Sequence, residues 1–198
     1  MSTAPRTRLS SDERRSQLLD LGVRLFAKRS LAEISIDLLA ETAGVSRGLL
    51  YHYFGSLAGF QEAVVRRAAD DLIARTAPPA EGSTATRLLV SVRAYVEFVD
   101  ESYEGYLSLV TGARSGNESL WAIYEEARAA LTDRVFAADA DHLLEDTPAT
   151  RLLVRGWSAL AEEMVLEWKA RGGVSRDQVV ELIAGALPVL AGALPPAG

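Results

Sequence analysis

The sequence contains no cysteine in 198 residues, which excludes disulfides and thiolate metal sites. It also lacks a membrane-spanning run. The most apolar stretch, 179–194, is interrupted by Glu181 and Pro188 and falls short of the roughly 20 residues needed to cross a bilayer, so it reads as a buried or interface helix. No positively charged leader followed by an apolar run and a cleavage site opens the chain, and a cytoplasmic location is the default expectation. No alternating pattern of strand length, internal repeat or low-complexity tract is present. Catalytic constellations are missing as well. There is no Ser/His/Asp arrangement, no phosphate-cradling glycine loop and no acid–base carboxylate pair, so an enzyme is a poor reading and no cofactor is expected. Asp139, Asp141, His142 and Glu145 approach a metal set, but no second histidine or cysteine nearby completes it. They read as solvated surface, with no metal expected.

What the chain does have is apolar material and patterned charge. A hydrophobic content of 48% is ample for a packed core. The net charge of −6 is unevenly spread: residues 1–60 hold eight Lys/Arg against six Asp/Glu, giving +2, and the rest hold thirteen against twenty-one, giving −8. A mildly basic head on an acidic body suits a protein that touches phosphate at one end only.

Helical periodicity runs throughout. Ser10 and Glu13 form a capping-box pattern opening a first helix to Lys28, with Leu18, Leu21, Gly22, Leu25 and Phe26 on one face. Ser35 is placed to cap a second helix to Ala43, and Ser46 a third to about Tyr53. Between them, Gly44 supplies a turn because it has no Cβ to clash at positive φ. Ala40 is the small residue where the two helices cross, while Leu39, Ala43, Val45, Leu50 and Tyr53 form a shared apolar seam. This is a helix-turn-helix pattern.

Ser56 opens a long fourth helix to about Thr76, and Pro78–Thr84 reads as a loop and the best internal boundary. Further helical pieces follow: Leu88–Val99, a short Tyr106–Val110 before a loop at Gly112–Asn117, Glu118–Phe136, Thr150–Ala170, and Ser175 to about Leu194, with an acidic connector at Asp139–Pro148. Pro188 is expected to kink or end the last helix. The fold class is all-α, with about nine helices.

The segments LLDLGVRLFAKRS and ISIDLLAETAGVSRGLLYHYFGS, in this order and followed by a long fourth helix, resemble the TetR (tetracycline-repressor-like) family of bacterial transcription regulators. The resemblance implies an N-terminal arm and DNA-binding domain over 1–56 and an effector-binding and dimerisation domain over 57–198. It places Ser46, Arg47, Gly48 and Leu49 at the exposed start of a recognition helix. Arg47 becomes the candidate base reader, because a guanidinium matches guanine O6 and N7 bidentately. Tyr51 matches a phosphate-contacting tyrosine, with His52 beside it and Ser35 able to offer a hydroxyl and a backbone N–H to phosphate. Arg6 and Arg8 form either a passive tail or a basic arm reaching the DNA.

The chain departs from the family pattern at three positions. Leu57 stands where lysine is frequent, which predicts weaker attraction to the DNA backbone. Ser30 replaces a common glycine and Gly22 a common alanine, which together suggest a looser first helix.

In the second part, the family resemblance makes Tyr95, Phe98, Tyr103, Tyr106, Trp121, Tyr124, Trp157, Met164 and Trp168 candidates for an effector pocket, with about half expected to face a cavity and the rest to be plain core. Arg114 is either a contact at the pocket mouth or a solvated loop residue. Leu152, Leu153, Gly156, Trp157, Leu160 and Met164 line one late stripe; Val179, Val180, Ile183, Leu187, Leu190 and Leu194 line another. The two helices are expected to build a four-helix dimer interface, with Gly156 and Gly185 allowing close approach.

The expected function is a homodimeric, ligand-responsive regulator, a repressor in the first instance. Its recognition helices would lie about 34 Å apart on a pseudo-palindromic operator, and a small apolar or amphipathic effector would release it. The alternative is a helical small-molecule binder that has lost DNA binding; a mobility shift on the upstream DNA separates the two.

Overall fold

Among the described residues, eight of nine α-helices open on a Ser, Thr or Asn whose side chain accepts a backbone N–H from the first turn. Each such cap is worth about 1 kcal/mol and fixes where a helix begins. The computed structural model describes residues 10–193. Arg6 and Arg8 of the expected arm, and Leu194 of the last stripe, lie outside the described residues.

The helices are α1 (Ser11–Phe26), α2 (Ile36–Ala43), α3 (Arg47–Phe54), α4 (Leu57–Arg75), α5 (Thr84–Glu101), α6 (Tyr103–Arg114), α7 (Glu118–Ala137), α8 (Pro148–Arg171) and α9 (Arg176–Gly192), with a 3₁₀ turn at Leu31–Glu33. Among the described residues there is no strand, and no helix is long and apolar enough to cross a membrane.

Several boundaries differ from the periodicity reading. α1 ends at Phe26 rather than Lys28. Thr84 leaves the expected loop to become the first residue of α5, capped by Ser83. α6 is a full helix that absorbs Gly112, Ala113 and Arg114, expected in a loop. Gly112 is there for packing: a Cβ on it would lie 2.5 Å from Cδ1 of Leu120 on α7. Pro148, expected in the connector, is the first residue of α8, where its missing N–H would be unpaired anyway. Pro188 does not end α9, which continues to Gly192. Its ring sits on the exposed face, and α9 continues past it without the hydrogen bond that a backbone N–H there would donate.

Two apolar clusters hold the chain together. The first joins α1–α4 to α6 and α7 through Leu18, Phe26, Leu39, Leu50, Phe60, Val64, Val110 and Ile123. The second joins the end of α4 to α5, α8 and α9 through Leu72, Val96, Val99, Val154, Trp157, Val180 and Ile183. The first cluster therefore runs through the expected division at residues 56 and 57. α4 is the helix shared by both.

Gly22 is buried where α1 crosses α4, and a Cβ there would lie 2.5 Å from Cγ2 of Val64 and 2.6 Å from Cζ of Phe60. The residue expected to loosen α1 instead lets it seat against α4. Ser30 likewise has a partner: its backbone N–H and hydroxyl both donate to Glu33 Oε2, at 2.8 Å each, tightening the turn after α1. α6 docks on this corner, with the Leu31 N–H donating to Ser108 Oγ at 3.0 Å.

The acidic connector is not uniformly solvated. Asp139 is 6% exposed and accepts from the Leu144 N–H at 2.6 Å and the Thr84 hydroxyl at 2.9 Å. Asp141 accepts from the Thr84 N–H at 2.8 Å. The two carboxylates hold the N-terminal end of α5, where a helix favours negative charge. Among the described residues no cluster of three metal-ligating side chains occurs.

Two outcomes test this packing. Gly22→Ala should destabilise by about 1–3 kcal/mol through overpacking, although helix propensity alone predicts a gain; a urea midpoint at or above wild type would refute the Gly22–Phe60–Val64 packing. Burial raises the Asp139 pKa, but the Leu143 and Leu144 N–H groups and the Thr84 hydroxyl outweigh it and hold it below the usual carboxylate range. The stability it adds is therefore full above about pH 4, the unfolded value, and is lost as pH falls through the lower folded value. Asp139→Ala should lower stability by about 1–3 kcal/mol at pH 7 and less in acid, as read from urea midpoints at both pH values.

Candidate nucleic-acid interface and buried cavity

The head presents α3 outward. Ile36, Leu39 and Leu50 are buried, and Ala40, Ala43, Val45 and Tyr53 pack against them. Gly44 turns the chain at φ +64°, where its N–H donates to the Glu41 carbonyl at 3.2 Å and the Val45 N–H to the Ala40 carbonyl at 3.0 Å. Phe54 meets the Phe60 ring edge-on, with centroids 4.8 Å apart, so the end of α3 is anchored on α4.

Ser35, Ser46, Arg47, Gly48, Tyr51 and His52 are exposed together, and Leu49 is half-buried. The Ser35 and Ser46 hydroxyl oxygens accept the Leu38 and Leu49 N–H groups at 3.1 and 3.2 Å, which leaves each hydroxyl proton free to donate outward. Only Ser46 Oγ, at 3.9 Å, comes near where a Gly48 Cβ would be, so that surface is open. Arg47 pairs with Asp37 of α2, both side chains about two-thirds exposed. An exposed pair contributes about 0–1 kcal/mol, less than the about 1–3 kcal/mol of a bidentate guanine contact, so the pair can yield to a base. Leu57 is half-buried against the head core, and no cation stands at that point.

Between α5, α6, α7, α8 and α9, at the C-terminal end of α4, lies a mainly apolar cavity of about 130 Å³, walled by Leu88, Val92, Leu131, Val135, Leu144, Trp157 and Leu187. Tyr95, Tyr106, Arg128, Arg134 and Glu162 also line it. A second cavity of about 60 Å³ adjoins it across Tyr106, Arg128 and Leu131 and is lined by Phe98 and Tyr124.

At one end of the larger cavity, hydrogen bonds converge on Glu162, which is 3% exposed. Its Oε1 accepts from Arg114 Nη2 at 2.7 Å and its Oε2 from the Tyr106 hydroxyl at 3.2 Å, while the Tyr124 hydroxyl reaches both oxygens at 3.0 and 3.1 Å. With its proton on Glu162, Tyr106 accepts from Tyr95 at 2.9 Å, and Tyr124 accepts from Arg128 Nη1 at 3.2 Å. Burial raises the pKa of all three tyrosines, so they stay protonated donors at neutral pH. Burial disfavours the Arg114 charge, and the Glu162 carboxylate together with Tyr124 and Glu163 more than restores it.

At the other end, Arg134 of α7 donates to the Ile73 carbonyl and, at 3.1 Å, to Thr76 Oγ1, so it caps the last turn of α4. The Trp157 Nε1–H donates to the Ile183 carbonyl at 2.8 Å.

Residues 18–64 match the family model described as bacterial regulatory proteins, tetR family, and residues 84–189 match that described as tetracyclin repressor-like, C-terminal domain. The chain belongs to the TetR family. A tetR-family transcriptional regulator from Streptomyces coelicolor is 34% identical, covering 92% of this chain and 82% of that one, with a TM-score of 0.83. The transcriptional activator FasR of Mycolicibacterium smegmatis is 28% identical over 177 residues, or 88% of this chain and 81% of FasR. A structure from Saccharomonospora viridis solved in complex with choline, 18% identical with a TM-score of 0.71 and covering 90% of this chain and 97% of that one, shows the fold alone. The protein is a ligand-responsive, DNA-binding TetR-family transcriptional regulator.

The pocket candidates divide. Tyr106 and Trp157 line the larger cavity, Phe98 and Tyr124 the smaller, and Tyr106 both. Arg114 reaches the site only through Glu162 and is on a helix, not a loop. Trp121 is 48% exposed, Tyr103 faces Lys169 with its ring, and Met164 packs in the second core, so these three line neither cavity. Sequence reasoning passed over Glu162, Arg128 and Arg134. Glu162 left one signal, its position one turn before buried Val165 on α8.

The expected dimer stripes are also redistributed. Val180, Ile183 and Leu187 are buried within this chain's own second core, and Leu153 packs against it. Gly156, Leu160 and Leu190 are exposed, joined by Leu152, Leu182 and Val189 at 73%, 56% and 74% exposure.

For the head, Arg47→Ala should leave the helical content unchanged and relax sequence preference by about 1–3 kcal/mol at one base pair of each half-site. Affinities for a panel of single-base variants of DNA selected from a random pool check this, and wild-type discrimination would remove Arg47 as the base reader.

Proposed function

We propose that the chain binds a pseudo-palindromic operator as a homodimer through α3 and represses until a small apolar or amphipathic effector occupies the cavity. Residues 1–56 serve as the DNA-binding head and 57–198 as the effector and dimerisation body. The observation that carries this reading is that α4 holds the head at one end and meets the cavity at the other, where its C-cap residue Thr76 and the capping Arg134 both line the space. An occupant that displaces either must act on the helix supporting α3. A coupling of about 1–3 kcal/mol is enough for a several-fold to hundredfold change in operator affinity.

Dimerisation is supported by the outward faces of α8 and α9. Leu152, Gly156 and Leu160 on one, and Leu182, Gly185 and Val189 on the other, are apolar or small and exposed. Apart from the adjacent backbone of their own helices, no atom lies within 4 Å of where a Cβ of Gly156 or Gly185 would sit, so a second copy can approach closely. Exposed apolar side chains gathered on these two helices support an interface there.

An activating role is favoured by one observation, the likeness to FasR over 88% of this chain. A promoter fused to a reporter separates the two signs: deletion of the protein raises output under repression and lowers it under activation.

Leu152→Glu with Val189→Glu should give a folded monomer by light scattering, and its affinity for the two-half-site operator should fall on the order of hundredfold, because the second half-site is no longer tethered. A dimer with unchanged operator affinity would place the interface elsewhere.

A further inference from the structure

The charges around the larger cavity are unequal. Glu162 is the carboxylate in its lining, and its oxygens are already occupied by Arg114, Tyr106 and Tyr124. A carboxylate offers about four lone-pair sites, so little acceptor capacity remains for a ligand. Arg128 and Arg134 stand differently. Among the described residues no carboxylate lies within 4 Å of either guanidinium. Their protein partners are neutral: the Tyr124 hydroxyl and Arg155 carbonyl for Arg128, the Ile73 carbonyl and Thr76 hydroxyl for Arg134. Asp139, which borders the Arg134 end through Thr84, does not line the cavity and spends its oxygens on the Leu144 N–H and the Thr84 hydroxyl. Arg128 thus reaches the Glu162 charge only through Tyr124, and Arg134 faces the mainly apolar chamber with no counter-charge within 4 Å, where a charge without a counter-charge is costly.

We propose that the effector is an anionic amphiphile whose oxyanion head is bound by Arg134 and whose apolar body lies along Val92, Leu131, Val135 and Trp157. This rests on reading the cavity as the effector site. Arg134 is the better anchor of the two because it lies about 15 Å along α7 from Tyr124, which touches Glu162, whereas Arg128 hydrogen-bonds to that tyrosine directly. A void of this order, about 130 Å³, takes a ring or a chain of several carbons, and the adjoining cavity of about 60 Å³ gives a chain room to extend.

The same contact supplies the signal. Arg134 is the group that caps the last turn of α4. An oxyanion competing for its N–H donors weakens the bond to the Ile73 carbonyl, and a charge-assisted bond outcompetes one to a neutral carbonyl. Head-group recognition and release of α4 become one event.

The test is calorimetric titration of the full chain with octanoate, octyl phosphate, octylammonium and 1-octanol, in parallel with its affinity for DNA selected from a random pool. Octanoate or octyl phosphate should bind best, and the tighter of the two identifies the head as carboxylate or phosphate. Arg134→Met, which keeps the aliphatic stem, should weaken the anion roughly ten- to hundredfold and leave 1-octanol unchanged; Arg134→Lys should restore part of the loss. Equal affinity for 1-octanol and the anions, tighter binding of octylammonium, or no binding by either anion would overturn the proposal. Anion binding with no change in DNA affinity would sink the effector reading while the anion site stands.

Discussion

Phe60, Val64 and Val65 of α4 are fully buried against the head, and Leu72, some 18 Å along the same helix from Phe60, is buried in the second core. Packed interiors are dense and shift between discrete arrangements more readily than they deform. α4 therefore cannot rotate or slide at one end without disturbing contacts at the other. The rest of the architecture serves this constraint: α1 grips the near end through Gly22, α7 runs beside it, and Arg134 closes the far end.

The buried polar cluster has a direction that its membership alone does not reveal. Each hydroxyl proton along Tyr95, Tyr106 and Tyr124 points toward Glu162, and two arginines feed the same sink. A carboxylate so deep in the protein would be prohibitive without these donors. With them, it fixes the rotamers of three aromatic rings and sets one end wall of the cavity. The cation near the opposite end has no such saturation, and the chamber is polarised along its length.

Much of the head was legible in the sequence because its signals are local. Ser10, Ser35, Ser46 and Ser56 start helices as their hydroxyls require, and Gly44 turns the chain where only a residue without a Cβ does so freely. The second part was less legible for two reasons. α9 is apolar on nearly every side, so periodicity could not say which face would be inward, and Val180, Ile183 and Leu187 proved to be core while Leu182 and Val189 face out. Glu162 lies beside exposed Glu163 in an ordinary amphipathic run, and only the convergence of Arg114, Tyr106 and Tyr124 from two other helices sets it apart. Sequence separations of 38 to 56 residues carry that convergence, beyond the reach of any local pattern.

Gly22 has a consequence for where the recognition unit ends. A glycine in mid-helix costs up to about 1 kcal/mol of helical preference, and α1 recovers it only by seating on Phe60 and Val64, which follow residue 56. A fragment stopping at the end of α3 would retain the exposed face of α3 and lose the surface against which α1 folds. The helix-turn-helix is thus inseparable, as a folding unit, from α4, and the smallest packed head in this chain is four helices long.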